Sequence, residues 1–287
     1  MDAFSYHHYG AISRRGAELG ILQTTPSYAL SEAWLARTAD TLGFYERLRD
    51  ELQPGVPLWL TETANAACGG NPWASTFADT FRYLDQLGRL ARRGVQVVAH
   101  DTLAASDYGL LDERTLVPRP NYWGALVRRR LMGTAVLDPE VPIQHGLHVF
   151  AHSLRGTPGG VALLVINNDV VAPRSLTVPV PSERYTLSAT DLWAGTVLLN
   201  GAALQARRRR AAGARGRPDG RGRGDVRAED DHVPRAPAGR ERRVPVAPPR
   251  ARRARDQRAA SRARSTAARS AAGSPFITYP SGPRPRR

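Results

Sequence analysis

The stretch Leu58-Trp59-Leu60-Thr61-Glu62 decides how this chain reads. The run from Val56 to Leu60 is short and apolar, follows the helix-stopping Gln53-Pro54-Gly55, and so reads as a buried strand. It ends on a carboxylate. A charge closing an apolar strand is costly unless it is paired, solvated in a cleft, or used in chemistry. Glu62 is therefore either a catalytic group or a structural hydrogen-bond acceptor.

Upstream, Ser31 to Leu52 has helical spacing, with Leu35, Leu42, Tyr45, Leu48 and Leu52 recurring and Ser31 as the N-cap. Before it, Met1 to Tyr9 reads as an aromatic-rich strand with no lead-in, which points to a preceding part of the domain outside this chain. Downstream, the spacing predicts a helix from Ser75 to Arg93 with Phe77, Phe81, Leu84, Leu87 and Ala91 on one face and Gly94 ending it. Val95 to Ala99 is a third strand, and Tyr122 to Met132 a third helix. Strands alternating with helices mean βαβ units and a parallel sheet with both faces covered. Beyond Gly133, His148 to His152, Val161 to Ile166, Ser175 to Val180, Tyr185 to Ala189 and Thr196 to Leu199 are short β-type runs between Pro, Gly and Asn, as in an antiparallel domain.

The three proposed parallel strands end in His7-His8-Tyr9, in Glu62 and in His100-Asp101. In a (β/α)₈ barrel the groups that act on substrate collect at the C-terminal ends of the strands. Of the neighbours His7 and His8, at most one faces the cleft, because successive strand side chains point to opposite sides.

Charge is segregated. The chain has no lysine, and residues 1–206 hold 17 arginines against 19 acidic groups, while residues 207–287 hold 24 against 7. The tail of Arg, Ala, Gly and Pro shows no sustained period and is expected to be disordered. It would attract polyanions without specificity, yet it lacks interleaved aromatics and a recognition helix, so no specific nucleic-acid partner is expected. No apolar run reaches the roughly 18 to 20 residues of a membrane span, and the N-terminus lacks the order of a signal peptide. Localisation stays open. The lone Cys68 excludes an internal disulfide or a cysteine metal cluster, and no cofactor or metal is expected. Nothing near it marks an activated thiol, so it reads as packed.

Several motifs in order carry a family resemblance: Ser5-Tyr6-His7-His8-Tyr9, Trp59-Leu60-Thr61-Glu62-Thr63-Ala64, Gly69-Gly70, and Tyr83-Leu84-Asp85-Gln86-Leu87-Gly88. Asp107-Tyr108-Gly109-Leu110-Leu111, Pro118-Arg119-Pro120-Asn121-Tyr122-Trp123 and Arg130-Leu131-Met132-Gly133 continue it. Over about residues 2–204 the chain resembles bacterial members of glycoside hydrolase family 79, the heparanase and β-glucuronidase group. The resemblance implies an α/β fold: about strands six to eight of a (β/α)₈ TIM barrel over residues 1–133, then an incomplete antiparallel β-sandwich over 134–206, with 207–287 as the tail. It implies a retaining mechanism with Glu62 as nucleophile and Tyr9 donating to that carboxylate. It favours His7 over His8 for the cleft, assigns the Gly69-Gly70 loop and Tyr108 to a uronate carboxylate, and puts Asp101 in contact with substrate, where eukaryotic members show Arg-Gln in place of His100-Asp101. The implied partner is a glycoside or glycan containing uronic acid, and family members are often exported or membrane-associated.

Two departures accompany it. The general acid/base glutamate, which the family carries after an asparagine on strand four, is expected upstream of Met1, so the chain alone is expected to be inactive. The tail reads as a shifted frame: moved by one base, codons for Gly224 to Pro237 can spell an alternating β-strand. A rival reading makes residues 134–206 a noncatalytic carbohydrate-binding remnant with Trp193 and Tyr185 as stacking residues, the alternative for both being core packing.

Overall fold

The computed structural model describes residues 2–19 and 23–206, all within one compact unit. The tail and its expected disorder and shifted frame lie outside the described residues. The fold is mixed α/β. Strands β1 (Phe4–His7), β2 (Leu58–Thr63) and β3 (Val97–His100) form a parallel sheet in that order. The register slips beside Glu62: Tyr6 pairs with Leu60, but His7 pairs with Glu62, leaving Thr61 as an extra residue in β2.

The strands alternate in burial because only one face of this sheet is covered. Leu58, Leu60 and Tyr6 pack with Leu42 of helix α3 (Arg37–Leu52), Leu90 of helix α4 (Phe77–Arg92) and Val95. On the opposite face Ser5, His7, Val97 and Ala99 are exposed and Trp59 and Thr61 half-buried. The expectation that both faces are covered does not hold among the described residues.

The predicted helix over Ser31–Leu52 is split into α2 (Glu32–Leu35) and α3, preceded by a short α1 (Pro26–Ala29). Ser31 does cap α2, its hydroxyl accepting from the Trp34 amide at 3.3 Å. Ala36 between the two keeps right-handed helical angles, so the chain stays helical in dihedral terms through the joint.

Helix α4 begins two residues later than its spacing predicted. Thr76 is the N-cap and Ser75 sits at φ +52° with its amide donating to Asp79. Gly94, at φ +79°, supplies the left-handed residue that ends the helix. The larger difference is which face is buried. Phe81 and Leu87 are only partly buried, whereas Asp79, Arg82, Asp85, Gln86 and Arg89 are buried with Tyr83, Leu84 and Leu90. The helix is enclosed almost all round, between the parallel sheet, α5 (Pro120–Leu131) and an antiparallel sheet.

That second sheet has the order β4 (Met132–Leu137), β5 (His148–Leu154), β6 (Val161–Ile166). The boundary expected near residue 134 falls inside β4. Phe150 of β5 reaches α4 at Gly88, where an added Cβ would stand 2.4 Å from the ring, so only glycine admits this approach. A third small sheet holds β7 (Leu187–Ser188), β8 (Leu198–Leu199) and β9 (Ala202–Ala203). The strand expected at Ser175–Val180 is not formed; those residues lie largely exposed in irregular backbone. No described helix is long and apolar enough to cross a membrane.

Candidate active site

Parallel pairing puts the C-terminal ends of β1, β2 and β3 at one edge, and the side chains there touch in series. The Tyr9 hydroxyl donates to Glu62 Oε1 at 2.8 Å. The same hydroxyl is 3.2 Å from Asp101 Oδ2, and the Tyr108 hydroxyl donates to that oxygen at 3.3 Å. His7 Nδ1 is 3.5 Å from Glu62 Oε2, with both side chains about half exposed (58% and 42%). Burial, then the hydrogen bond to Glu62 and the charge of Asp101, push the Tyr9 phenol well above its ordinary value, so it is a donor at any working pH. Burial and Asp101 raise Tyr108 in the same sense.

His7 and His8 part company as strand alternation requires. His8 turns inward, and burial, with Arg37 and Arg82 near, pushes its pKa down to about 4. His100 is likewise lowered by burial, its Nε2 lying 2.9 Å from the Tyr108 carbonyl, so it supports the Tyr108 loop from behind.

The glycine loop hangs between two anchors. Ala67 pairs with Ile12 as a bridge, the Ser13 hydroxyl donates to the Cys68 carbonyl at 2.6 Å, and the Asn71 amide donates to Asn65 Oδ1 at 2.9 Å. Gly69 has φ +90°, and a Cβ there would meet the Arg15 guanidinium at 2.9 Å; one on Gly70 would stand 3.0 Å from Asp107 Cβ. Gly70 thus stands against Asp107, the neighbour of Tyr108, while Gly69 stands against Arg15, whose guanidinium is 3.4 Å from Asp107. Cys68, read as packed, is exposed at φ +62°; the turn that presents the glycines turns its side chain out. Trp193 and Tyr185 are exposed too, so core packing does not account for either. A groove of about 660 Å³ lies beside the loop, lined among others by Asn71, Ser75, Asp107 and Arg119, and does not include Glu62.

Sequence reading missed the support beneath this edge. Asp79 is fully buried and accepts from Arg82 Nε at 2.5 Å, Asn121 Nδ2 at 2.8 Å, the Ser75 amide at 2.9 Å and Asn65 Nδ2 at 3.3 Å. Burial alone would raise its pKa; Arg82 and these donors outweigh burial and hold it below the ordinary value. Arg82 then reaches Gln86, Gln86 donates to Thr63, and the Thr63 hydroxyl donates to the His8 carbonyl at 2.6 Å. One arm of this network ends in the glycine loop and the other beside Glu62 and Tyr9. Its signal was legible: Asp79, Arg82 and Gln86 stand at helical spacing on one face.

No family model matches the chain. Curated relatives do. It is 36% identical over 168 residues to heparanase-like protein 1 of Arabidopsis thaliana, covering 58% of this chain and 30% of that protein. It is 30% identical over 221 residues to heparanase of Rattus norvegicus, covering 71% and 40%. To baicalin-β-D-glucuronidase of Scutellaria baicalensis it is 34% identical over 133 residues, covering 45% and 25%. The chain thus spans less than half the length of these relatives. Among solved structures, a 4-O-α-L-rhamnosyl-β-D-glucuronidase from Fusarium oxysporum superposes with a TM-score of 0.50 at 17% identity, over 69% of this chain and 44% of that one; this shows a shared fold. The carboxylate held by a tyrosine at the end of a parallel strand thus stands in a chain whose curated relatives are named as heparanases and a β-glucuronidase, the group of glycoside hydrolases, family 79, that its motifs resemble.

Proposed function

We propose that this chain carries the nucleophile side of a retaining glycosidase site. Glu62 attacks the anomeric carbon and forms a glycosyl ester, and Tyr9 holds the attacking carboxylate in place. The observation that carries the reading is the 2.8 Å bond from Tyr9 to Glu62 at the strand ends. On this reading β1 to β3 are strands six to eight of a (β/α)₈ barrel over residues 1–133, whose interior is the uncovered face of the sheet, and residues 134–206 belong to a β-sandwich. His7, Gly69, Gly70, Asp101 and Tyr108 line the sugar site, and the substrate is a glycoside or glycan. The relatives' names point to the uronic-acid-containing class.

Retention needs a second carboxyl to protonate the leaving group. The family's form of it follows an asparagine, and the sequence contains no Asn-Glu pair. The chain alone is therefore expected to leave ordinary glycosides uncleaved, while an activated reagent bypasses the missing proton. Fluoride departs without protonation, so 2-deoxy-2-fluoro-β-D-glucosyl or glucuronosyl fluoride should esterify Glu62. Intact-mass spectrometry and peptide mapping of the 287-residue chain should show one adduct on Glu62, absent from Glu62→Gln. An adduct elsewhere, or one that survives in Glu62→Gln, sinks the proposal.

A further inference from the structure

Thr63 joins the three strand ends, and it is wholly buried. Its carbonyl accepts from the Asp101 amide at 2.9 Å, which ties it to the end of β3. On the side of β1, the His8 amide donates to the Glu62 carbonyl at 3.1 Å and the His8 carbonyl accepts from the Thr63 hydroxyl at 2.6 Å. Tyr9 is one residue beyond that His8 carbonyl, Glu62 is one residue before Thr63, and Asp101 is bonded through its own amide.

The direction of the Thr63 proton is fixed from behind. Arginine has only donors, so Arg82 Nη1, 3.3 Å from Gln86 Oε1, holds the Gln86 oxygen toward itself. The Gln86 amide nitrogen then faces Thr63 and donates to its hydroxyl at 3.1 Å. A hydroxyl that accepts there has its one proton left for the His8 carbonyl. Arg82 is itself held by the buried Asp79. A series of donors therefore runs from Arg82 to the backbone next to Tyr9. Just beyond the register slip at Glu62, it is this side chain that fastens β1 to β2.

We propose that Thr63 is a positioning residue whose hydroxyl, oriented by Arg82 and Gln86, sets where Tyr9 meets Glu62. The inference rests on Glu62 being the attacking carboxylate.

Thr63→Val keeps the shape and removes the hydroxyl, and Thr63→Ser keeps the hydroxyl. In the 287-residue chain, labelling of Glu62 by the 2-fluoro fluorides is followed by intact mass. Thr63→Val should label about tenfold more slowly, and Thr63→Ser within about twofold of the wild type. In a Tyr9→Phe background, Thr63→Val should slow labelling by less than about twofold, because the contact it aligns is already gone. Labelling of Thr63→Val at the wild-type rate, an equal loss in Thr63→Ser, or a further loss of about tenfold in the Tyr9→Phe background overturns the inference. If circular dichroism shows Thr63→Val unfolded, Gln86→Met, which removes the group that orients the hydroxyl, is put through the same comparisons. A second readout separates this inference from the nucleophile reading. The bond to Glu62 is one of the causes that raise the Tyr9 phenol, so Thr63→Val should ionise Tyr9, followed by carbon-13 NMR, at lower pH than the wild type. An unmoved Tyr9 overturns the inference even where Glu62 is labelled. A moved Tyr9 with no label in any protein upholds the positioning and removes Glu62 as nucleophile. Neither movement nor label overturns both.

Discussion

Two sets of carboxylates stand in this molecule under opposite conditions. Asp79 and Asp85, on α4, are buried beyond the reach of water and crowded with donors. Asp79 has four, and Asp85 faces Arg89 at 2.7 Å and His148 Nδ1 at 2.5 Å, while His148 Nε2 and Arg89 both meet Glu32. Glu62 and Asp101, at the strand ends, are half open and share one tyrosine proton between them. The same functional group is structural at Asp79, where four donors fill its acceptor capacity, and on the proposed function it is reactive at Glu62, where capacity remains. A buried, saturated carboxylate has no lone pair left for chemistry, and its cost of burial is offset only while every partner stays. The half-open pair retains acceptor capacity for a substrate.

The contrast breaks most visibly at Asp79. Asp79→Leu should lower unfolding free energy by about 3–5 kcal/mol in urea titration, because it strands Arg82 and two asparagine amides in the interior. A loss under about 1 kcal/mol would mean that the network is not what holds the site edge.

His8 sits on the border between the two regions, half-buried beside the exposed His7, and sharpens the comparison through pH. Its folded pKa of about 4 lies below the ordinary 6.5. The folded state therefore binds the proton less well than the unfolded chain. This contribution is fully present above pH 6.5 and is lost as pH falls toward 4, amounting to roughly 2 kcal/mol at pH 5. Urea titrations at pH 7 and pH 5 should show that difference in the wild type and a smaller one in His8→Gln; equal acid sensitivity in the two would assign it elsewhere.

The smallest expected effect belongs to the half-open pair. Tyr9→Phe should slow labelling of Glu62 by the fluoride reagents about tenfold while costing no more than about 1 kcal/mol of stability, since one partly exposed hydrogen bond is lost. A stability loss as large as that of Asp79→Leu would place Tyr9 with the structural set.

Much of the site edge could be read from residue order alone. Strand alternation separated His7 from His8, the apolar run located Glu62, and the β5–β6 pairing follows the runs at His148 and Val161. Local rules fall short where they meet tertiary surroundings. The spacing of α4 predicts one apolar face, but a helix enclosed between two sheets buries charged residues as well, provided they neutralise one another. Nothing near Cys68 in sequence marks it as other than packed, yet the turn that presents Gly69 faces it outward.

The sequence by itself determined which residues end the three parallel strands and that one of them is a carboxylate, because periodicity and apolar runs are local properties. Only the tertiary structure decided that Tyr9 stands between Glu62 and Asp101, and that Tyr108 is turned toward Asp101. Tyr9 and Asp101 are 92 residues apart. Their meeting depends on the parallel register and on the extra residue at Thr61 that re-aims the end of β2. Such a contact is set by how strands pair, and no window of neighbouring residues contains it.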